Sequence, residues 1–398
     1  MLVGGGARGA YQAGVLQGFA EILRGHLGNG PLFDVLTGIS AGAINAAYVA
    51  SNADRMADRI ASLAALWSEL HIDDVMRADA MSLLSIGSRW LRDLTLGGVL
   101  PAKPRSNHLL DTTPLRTFLA AHIDVEAIHR HVADGTLRGI GVSATSYRTG
   151  AAVTFFDGHE SVAEWRRSSR VGRRTRINID HILASASIPL LFRPVRIDGT
   201  FYGDGGVRMT TPLSPAIHLG SDKIVAISVQ HGRGGDTIVP RADESDAASE
   251  ISIADIAGVM LDAALLDDLE SDVERLLRDN RTLALIDATR RAQHPDGVRP
   301  IPLLLIRPSV DLGALAHDQF KRMPAMLRYL TKGIGATEGS GVELLSYLAF
   351  DPSYTRPLIQ IGRKDALSQK DEIEEFFFGG AARIEADRHP EMMAVADA

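Results

Sequence analysis

The chain has 398 residues, of which 45% are hydrophobic and 23% charged, a composition typical of a globular protein with a large core. Its formal net charge of -7 provides no overall positive field, so nucleic acid is not an expected partner. The absence of cysteine excludes disulfides, thiol nucleophiles and thiolate metal sites, and it suits a reducing compartment.

The start of the sequence and its apolar runs bear on where the protein acts. Met1-Leu2-Val3 leads directly into glycines, without the basic start, apolar stretch and cleavage site of a Sec signal. Three residues are few for a first strand, so the start is either truncated or the strand short. No apolar run approaches the ~18 to 20 residues of a membrane-spanning helix. We expect a cytoplasmic protein or one peripheral to a membrane, with export by another route left open.

Strand and helix patterns alternate in the first half of the chain, which predicts an α/β fold with a mostly parallel sheet. Helices with apolar residues at three and four spacing are predicted at Ala10–Arg24, Ala41–Ser51 and Arg55–Leu70. Strands are predicted at Val35–Thr37, Arg138–Ala144, Ala151–Phe156, Pro194–Ile197, Thr200–Tyr202 and Lys223–Val229.

A polar stretch at 231–250 predicts a linker or mobile loop, so we expect a catalytic domain at 1–230 and a C-terminal portion at 251–398 that packs on it. Ser252 and Asp255 are typical of a helix start. Beyond them one stripe of a long helix is predicted from Ile253, Ile256, Met260, Leu266, Leu269, Val273 and Leu277. A strand at Leu303–Ile306 and short helices at Ala325–Leu330 and Glu343–Leu348 are expected to follow.

Two glycine motifs lie between a predicted strand and a predicted helix. The turn formed by Gly4, Gly5, Gly6, Ala7, Arg8 and Gly9 can direct several backbone amides into one space, where they would bind an anion. It also fits the dinucleotide pattern G-x-G-x-x-G, but the following strand does not end in the acid that this pattern requires. That strand leads into Gly38, Ile39, Ser40, Ala41 and Gly42, a G-x-S-x-G typical of a nucleophile elbow.

A serine nucleophile needs a base, and none of the thirteen histidines lies at a glycine-flanked strand end. His181 and His218 are expected within helices. Asp204 instead follows a predicted strand directly and is flanked by Gly203, Gly205 and Gly206, which would let another segment approach its carboxylate. The neighbouring Asp198-Gly199 is interpreted as the hairpin turn.

These three motifs, in this order, resemble the patatin-like phospholipases, which carry G-G-G-x-[RK]-G, G-x-S-x-G and D-G-[GA]. The resemblance covers roughly 1–230 and includes the stretch Ala184-Ser185-Ala186-Ser187-Ile188-Pro189. It implies a three-layer α/β/α fold and a catalytic dyad of Ser40 and Asp204 without histidine. It further implies an oxyanion hole at Gly4, Gly5 and Gly6, with Arg8 adding positive charge or bracing the turn.

The resemblance implies hydrolysis of fatty-acyl esters of phospholipids or lysophospholipids, with other acyl esters open, no cofactor and no catalytic metal. One alternative is a serine esterase or acyltransferase with a histidine base, and another is a non-catalytic nucleotide- or lipid-binding module. Contact with a membrane is possible through six arginines beside Trp165, or through an apolar segment from Met76 to Leu100 that could instead cover an acyl channel. A solvated face and ordinary core packing are the simpler interpretations of these two stretches. The arginines are Arg166, Arg167, Arg170, Arg173, Arg174 and Arg176.

Overall fold

The structure, a computed structural model, describes residues 1–27, 31–77, 108–232, 252–265, 268–294, 298–325, 328–329, 332 and 342–379. Helices and a β-sheet alternate along the chain, which confirms the α/β class. Within these residues no helix combines the length and the apolar character needed to cross a membrane.

The strands in the described residues are β1 (Val35–Ile39), β2 (Gly139–Ser146), β3 (Ala152–Gly158), β4 (Trp165–Arg166), β5 (Arg170–Arg174), β6 (Val195–Ile197), β7 (Thr200–Asp204), β8 (Ile224–Ile227) and β9 (Leu303–Ile306). The helices of the N-terminal region are α1 (Gly9–Leu27), α2 (Ala41–Ser51), α3 (Met56–Glu69), α4 (Ile72–Val75), α5 (Thr113–His122), α6 (Val125–Ala133), α7 (Ile179–Ser185) and α8 (Ser214–His218). Those of the C-terminal portion are α9 (Ile253–Leu265), α10 (Asp268–Ala284), α11 (Ala288–Ala292), α12 (Gln319–Arg322), α13 (Val342–Leu348), α14 (Pro352–Ser368) and α15 (Lys370–Phe378). Single 3-10 turns lie at Gly6–Arg8, Ala53–Arg55, Gly205–Val207 and Ala314–Ala316.

Strand β2 organises the sheet because it pairs along both of its edges. One edge pairs antiparallel with β3. The other edge pairs with β1, in parallel, as far as Ile39 opposite Ser143, and then with β7, antiparallel, from Asp204 opposite Ala144. Since β1 and β7 run towards each other, their carboxyl ends meet at adjoining positions of β2.

The sheet is more mixed than the alternating patterns predicted. Parallel pairs join β1 with β2, β3 with β5 and β8 with β9, whereas hairpin connections make β2–β3, β4–β5 and β6–β7 antiparallel. Leu2 forms isolated parallel bridges with Gly38 and Ile227, so the short first segment connects β1 to β8. The β6–β7 turn at Asp198-Gly199 has both residues at positive φ (46° and 79°), as a type I′ hairpin turn requires.

Both faces of the sheet are covered. On one face, Leu36 belongs to the large core that includes α1, α2 and α3; on the other face, Val35 packs with Phe156, Trp165 and Leu219. This arrangement places a sheet between two layers, because side chains of neighbouring strand residues point in opposite directions.

The C-terminal portion packs on the N-terminal region through α14 and α1. These helices come so close that an added Cβ at Gly14 would overlap the Ile359 carbonyl, and one at Gly362 would overlap the Tyr11 carbonyl. The Tyr11 hydroxyl also donates to Asp365 at 3.1 Å. The domain boundary at 230 remains a prediction, since 233–251 lie outside the described residues.

Two expectations from the pattern change. The arginine-rich stretch contains strands β4 and β5, which were not predicted because its many charged residues mask an apolar strand pattern. The predicted long helix is described as two helices, α9 and α10, with Leu266 outside the described residues. Its apolar stripe is not one buried face, because Ile253, Ile256 and Met260 are exposed in α9 while Leu269 and Val273 are buried in α10. The start at Ser252 is confirmed, since the Ser252 hydroxyl accepts from the Asp255 amide and the Asp255 carboxylate accepts from the Ser252 amide and hydroxyl.

Candidate active site

Ser40 lies on a sharp turn between β1 and α2. Its φ of 55° is in the left-handed region, a conformation that is uncommon for a residue other than glycine and that recurs in strained functional turns. The two flanking glycines permit the turn, because an added Cβ at Gly38 would overlap the Gly42 carbonyl and one at Gly42 would overlap the Leu2 carbonyl. The geometry is that of a nucleophile elbow, with the hydroxyl at a helix N-terminus.

Two hydrogen bonds through Ser185, which the sequence motifs did not predict, also hold the elbow in place. The Ser40 amide donates to Ser185 Oγ at 2.9 Å, and Ser185 Oγ donates to the Ser143 carbonyl at 2.6 Å. Ser185 is fully buried at the end of α7. Its position inside the segment that resembles the family was the available signal, but no spacing rule predicts this hydrogen bond.

Asp204 is the last residue of β7 and lies beside Ser40 because the two strand ends meet along β2. Its backbone is fixed on both sides, since the Asp204 amide donates to the Ser187 carbonyl at 2.8 Å and Thr145 Oγ1 donates to the Asp204 carbonyl at 2.7 Å. The next residue, Gly205, leaves room for the Ser143 carbonyl, which a Cβ there would overlap.

The Asp204 carboxylate is completely buried, with 0% of the residue exposed. The Gly206 amide donates to Oδ1 at 2.9 Å. Burial raises the pKa of Asp204 to about 7, while interactions with the Ser40 hydroxyl and the Gly206 amide lower it and only partly offset the burial. Among the described residues no group forms a hydrogen bond of standard geometry with Oδ2. The serine hydroxyl and the aspartate carboxylate are therefore neighbours without a hydrogen bond of standard geometry.

The glycine turn lies next to the elbow and presents free amides. Gly5 and Gly6 adopt φ values of 142° and 57°, and the amides of Gly5, Gly6 and Ala41 pair with no acceptor in the described part of the chain. Gly6, Ser40 and Ala41 line the same cavity. The Ala41 amide was not among the predicted site groups, although the residue after a nucleophile is a usual oxyanion donor.

Arg8 does not point towards Ser40 but into the C-terminal portion. Its guanidinium donates to Ser346 Oγ and to the Glu343 carboxylate, and it lies 3.6 Å from Asp262. Of the two roles considered for Arg8, these contacts favour bracing the turn. Gly4 is the first residue of the turn. Gly9 is the last residue of the turn and begins α1, where an added Cβ would lie 2.8 Å from the Ala41 Cβ.

A buried polar network holds both ends of the glycine turn. Trp67 Nε1 donates to Asn45 Oδ1 at 2.7 Å, and Asn45 Nδ2 donates to both the Gly9 carbonyl and Gln12 Oε1 at 3.0 Å. Gln12 in turn donates to the Val3 carbonyl at 2.9 Å. Since Asn45 is on α2, the network links the glycine turn to the helix that carries Ser40, and its fully paired groups favour a rigid arrangement.

A narrow apolar cavity of about 50 Å³ opens at Ser40. Its walls are almost entirely hydrocarbon, and we call it the apolar channel. The lining residues include Ile44, Leu63, Leu66, Trp67, Leu70, Val75, Leu115, Phe118, Leu119, Ile188, Phe192 and Phe350. A nucleophile at the wall of such a channel can meet an ester that carries an apolar acyl group.

Three histidines near the site have partners other than the serine and the aspartate. His181 caps α7, and His218 stacks on Trp165 with ring centroids 4.5 Å apart. Burial lowers the pKa of each to about 4. His122 lines the apolar channel, but its Nδ1 forms a hydrogen bond with the Phe118 carbonyl at 2.8 Å. No hydrogen bond joins any described histidine to Ser40 or Asp204.

Several arginines of the cluster beside Trp165 already have partners. Arg173 pairs with Asp198, Arg176 pairs with Glu126, and Arg174 donates to backbone carbonyls of the adjoining loop. These contacts agree with a solvated, internally paired edge of the sheet, and contact with a membrane stays a prediction.

The apolar segment predicted from Met76 to Leu100 lies outside the described residues from 78 to 100. In the described ranges no group of three or more His, Asp or Glu side chains could hold a metal ion.

Comparison with known proteins agrees with this geometry. A family model described as patatin-like phospholipase matches residues 1–217. No match to the chain was found among curated proteins. The matched residues cover more than half of the chain and include the glycine turn, the Ser40 elbow and the Asp204 loop. The chain therefore belongs to the patatin-like phospholipases, a family of hydrolytic lipid esterases.

Proposed function

We propose that the protein is a lipid acyl hydrolase of the phospholipase A or lysophospholipase type, in which Ser40 and Asp204 act as a catalytic dyad. The observation that carries the proposal is the position of Ser40: its hydroxyl faces a fully buried carboxylate on one side and an apolar channel on the other. An acyl chain in that channel would bring its ester carbon to the nucleophile.

In the first half-reaction, Ser40 Oγ attacks the ester carbonyl carbon and its proton passes to Asp204. The tetrahedral intermediate then collapses, the bond to the alcohol breaks, and Asp204 returns the proton to the departing alcohol. In the second half-reaction a water molecule attacks the acyl-enzyme with Asp204 again as base. The fatty acid leaves, and Ser40 and Asp204 recover their starting protonation states.

The negative charge on the carbonyl oxygen needs donors, and the free amides of Gly5, Gly6 and Ala41 are suited to this role. They come from the glycine turn and from the first residue of α2, so the charge would also lie at a positive helix end. Removal of one such donor typically costs about 100- to 1,000-fold in rate.

The environment of Asp204 supports its role as a base without histidine. An ordinary aspartate has a pKa of about 3.9 and accepts protons poorly. Burial moves the pKa of Asp204 to about 7, so the ionised form would still be populated at neutral pH and would bind a proton far more strongly.

The experiment that tests this proposal is incubation of the purified protein with a mixed lipid extract, followed by mass spectrometry of the products. Release of fatty acid and the matching lysolipid or glycerophosphodiester is expected, and it should fall to background for Ser40→Ala and for Asp204→Asn. Release of fatty acid from neutral acylglycerols alone would show that the substrates are acylglycerols and not phospholipids. No product from any lipid would refute the proposal.

Two other functions make different predictions. A histidine-dependent esterase or acyltransferase requires a histidine variant without activity, and His122 is the candidate to replace because it lines the apolar channel. A nucleotide- or lipid-binding module would not react with a fluorophosphonate probe, whereas the dyad predicts labelling that Ser40→Ala abolishes.

A further inference from the structure

The glycine turn is attached to the C-terminal portion through the buried side chain of Arg8. Only 3% of Arg8 is exposed. Arg8 Nε and Nη2 donate to Ser346 Oγ at 2.8 and 2.6 Å, Nη2 also donates to Glu343, and Nη1 lies 3.6 Å from Asp262. We call Asp262, Glu343 and Ser346 the Arg8 clamp. All three lie beyond the residues that match the family.

The clamp is assembled from two helices that are distant in sequence from the turn. Asp262 belongs to α9, whereas Glu343 and Ser346 belong to α13. The helices approach closely where Gly258 faces Glu343, since an added Cβ at Gly258 would lie 2.8 Å from the Glu343 Cβ. Ser346 Oγ also donates to the Glu343 carbonyl at 2.6 Å, which aims its lone pairs at Arg8.

Tyr347 connects the clamp to the backbone of the turn. Its ring lies under the Arg8 guanidinium, 4.7 Å from centroid to Cζ, and its hydroxyl donates to Asp262 at 2.6 Å. Its carbonyl fills the space that a side chain on Gly6 would need. The same turn of α13 therefore contacts both the side chain of Arg8 and the backbone of Gly6.

We propose that Asp262, Glu343 and Ser346 are positioning residues for ester cleavage: by holding Arg8, they keep the Gly5 and Gly6 amides directed at the oxyanion. This inference rests on the proposed function. A guanidinium does not lose its proton, so a buried Arg8 without these partners would leave its pocket and move the turn with it. The amides lie two and three residues before Arg8, so a movement of the Arg8 side chain would be transmitted to the donors through a short backbone segment.

The competing explanation is that the clamp only attaches the C-terminal portion. In that case a clamp variant would lower the melting temperature, while the folded enzyme would keep its kcat. Tyr11→Phe is a matched control, because it removes a buried hydrogen bond between α1 and α14 without touching Arg8.

The test uses the full chain with Ser346→Ala, Glu343→Gln and Tyr11→Phe. For the clamp variants we expect kcat to fall by about 10- to 100-fold, less than the loss of a whole oxyanion donor, with KM within about twofold. A trifluoromethyl ketone inhibitor, which forms an oxyanion on Ser40, should weaken in parallel with kcat/KM. A non-hydrolysable ether lipid, which needs only the apolar channel, should bind as before. The control should keep its kcat even if it melts at a lower temperature.

Unchanged kcat and ketone affinity in clamp variants that fold would overturn the positioning role, and equal weakening of the ketone and the ether lipid would do so too. If Glu343→Gln does not fold, Ser346→Ala decides alone, since it deletes a single oxygen. A double variant that combines Ser346→Ala with Arg8→Met should have the same kcat as Arg8→Met alone, because both changes act through the Arg8 side chain. Failure of the proposed function is distinguished by Ser40→Ala: retained activity there would remove both proposals, whereas lost activity there with normal clamp variants would remove only this one.

Discussion

Replacement of Asp204 by asparagine tests the central physical claim, that the protein keeps a carboxylate where burial makes ionisation costly. Asparagine has the same shape and retains an oxygen to accept the Gly206 amide at the Oδ1 position. It cannot ionise or accept the Ser40 proton. The variant should therefore lose activity and gain stability at neutral pH.

The magnitude follows from the pKa. The pKa rises from 3.8 in the unfolded chain to about 7 in the folded protein. At ~1.36 kcal/mol per pH unit, keeping Asp204 ionised costs the native state roughly 4 kcal/mol. Below pH ~4 the carboxyl is protonated in both states and the cost is absent. Between about pH 4 and 7 the unfolded chain releases its proton first, so native stability falls as pH rises, and above about pH 7 the full cost remains.

The assay is urea unfolding of the wild type and of Asp204→Asn across this pH range. The stability of the wild type relative to the variant should fall by up to roughly 4 kcal/mol between pH ~4 and ~8, because the other groups cancel in the comparison. Ser40→Ala is the matched control: it removes an interaction that lowers the pKa of Asp204, so its pH dependence should extend to higher pH. A difference that does not vary with pH would refute the reasoning.

The proposed dyad also predicts how catalysis depends on pH. Asp204 must be ionised to accept the proton, so kcat/KM should rise with pH, with a midpoint near 7, and then level off. Asp204→Asn should lower kcat by about 100- to 10,000-fold, the usual contribution of a general base. An Asp204→Asn enzyme with wild-type rate and pH profile would assign the base to another group.

The remaining predictions concern the glycine turn, the apolar channel and the alternative base. Gly6→Ala should lower kcat about 100-fold or more and lower the melting temperature, because its Cβ would overlap the Tyr347 carbonyl; steady-state kinetics and calorimetry check both effects. Ile44→Trp should shift product chain lengths towards shorter acyl groups by narrowing the apolar channel, and an unchanged distribution in mass spectrometry would place the acyl chain elsewhere. His122→Ala should retain kcat/KM within about threefold, since its ring nitrogen is bonded to its own helix; loss of activity to background would support a histidine base.

Features that depend on short runs of residues could be predicted from those residues alone. Ser40 between Gly38 and Gly42 predicted a sharp strand-to-helix turn, because only small neighbours tolerate the close approach of Leu2 and of the helix start. The Asp198-Gly199 hairpin and the helix start at Ser252 were predictable for the same reason. Local sterics and capping act over a few residues, so the pattern contains all the interacting partners.

Contacts between residues far apart in the chain depend on the three-dimensional fold, and the residue patterns alone do not predict them. The register of β2 places Ile39 opposite Ser143 and Asp204 opposite Ala144, and this register brings the serine and the aspartate together. Nothing near Arg8 in the sequence indicates that its side chain turns away to Ser346, more than 300 residues later. Contacts of this kind depend on how whole helices and strands pack, and packing results from many weak interactions spread over the chain rather than from any one motif.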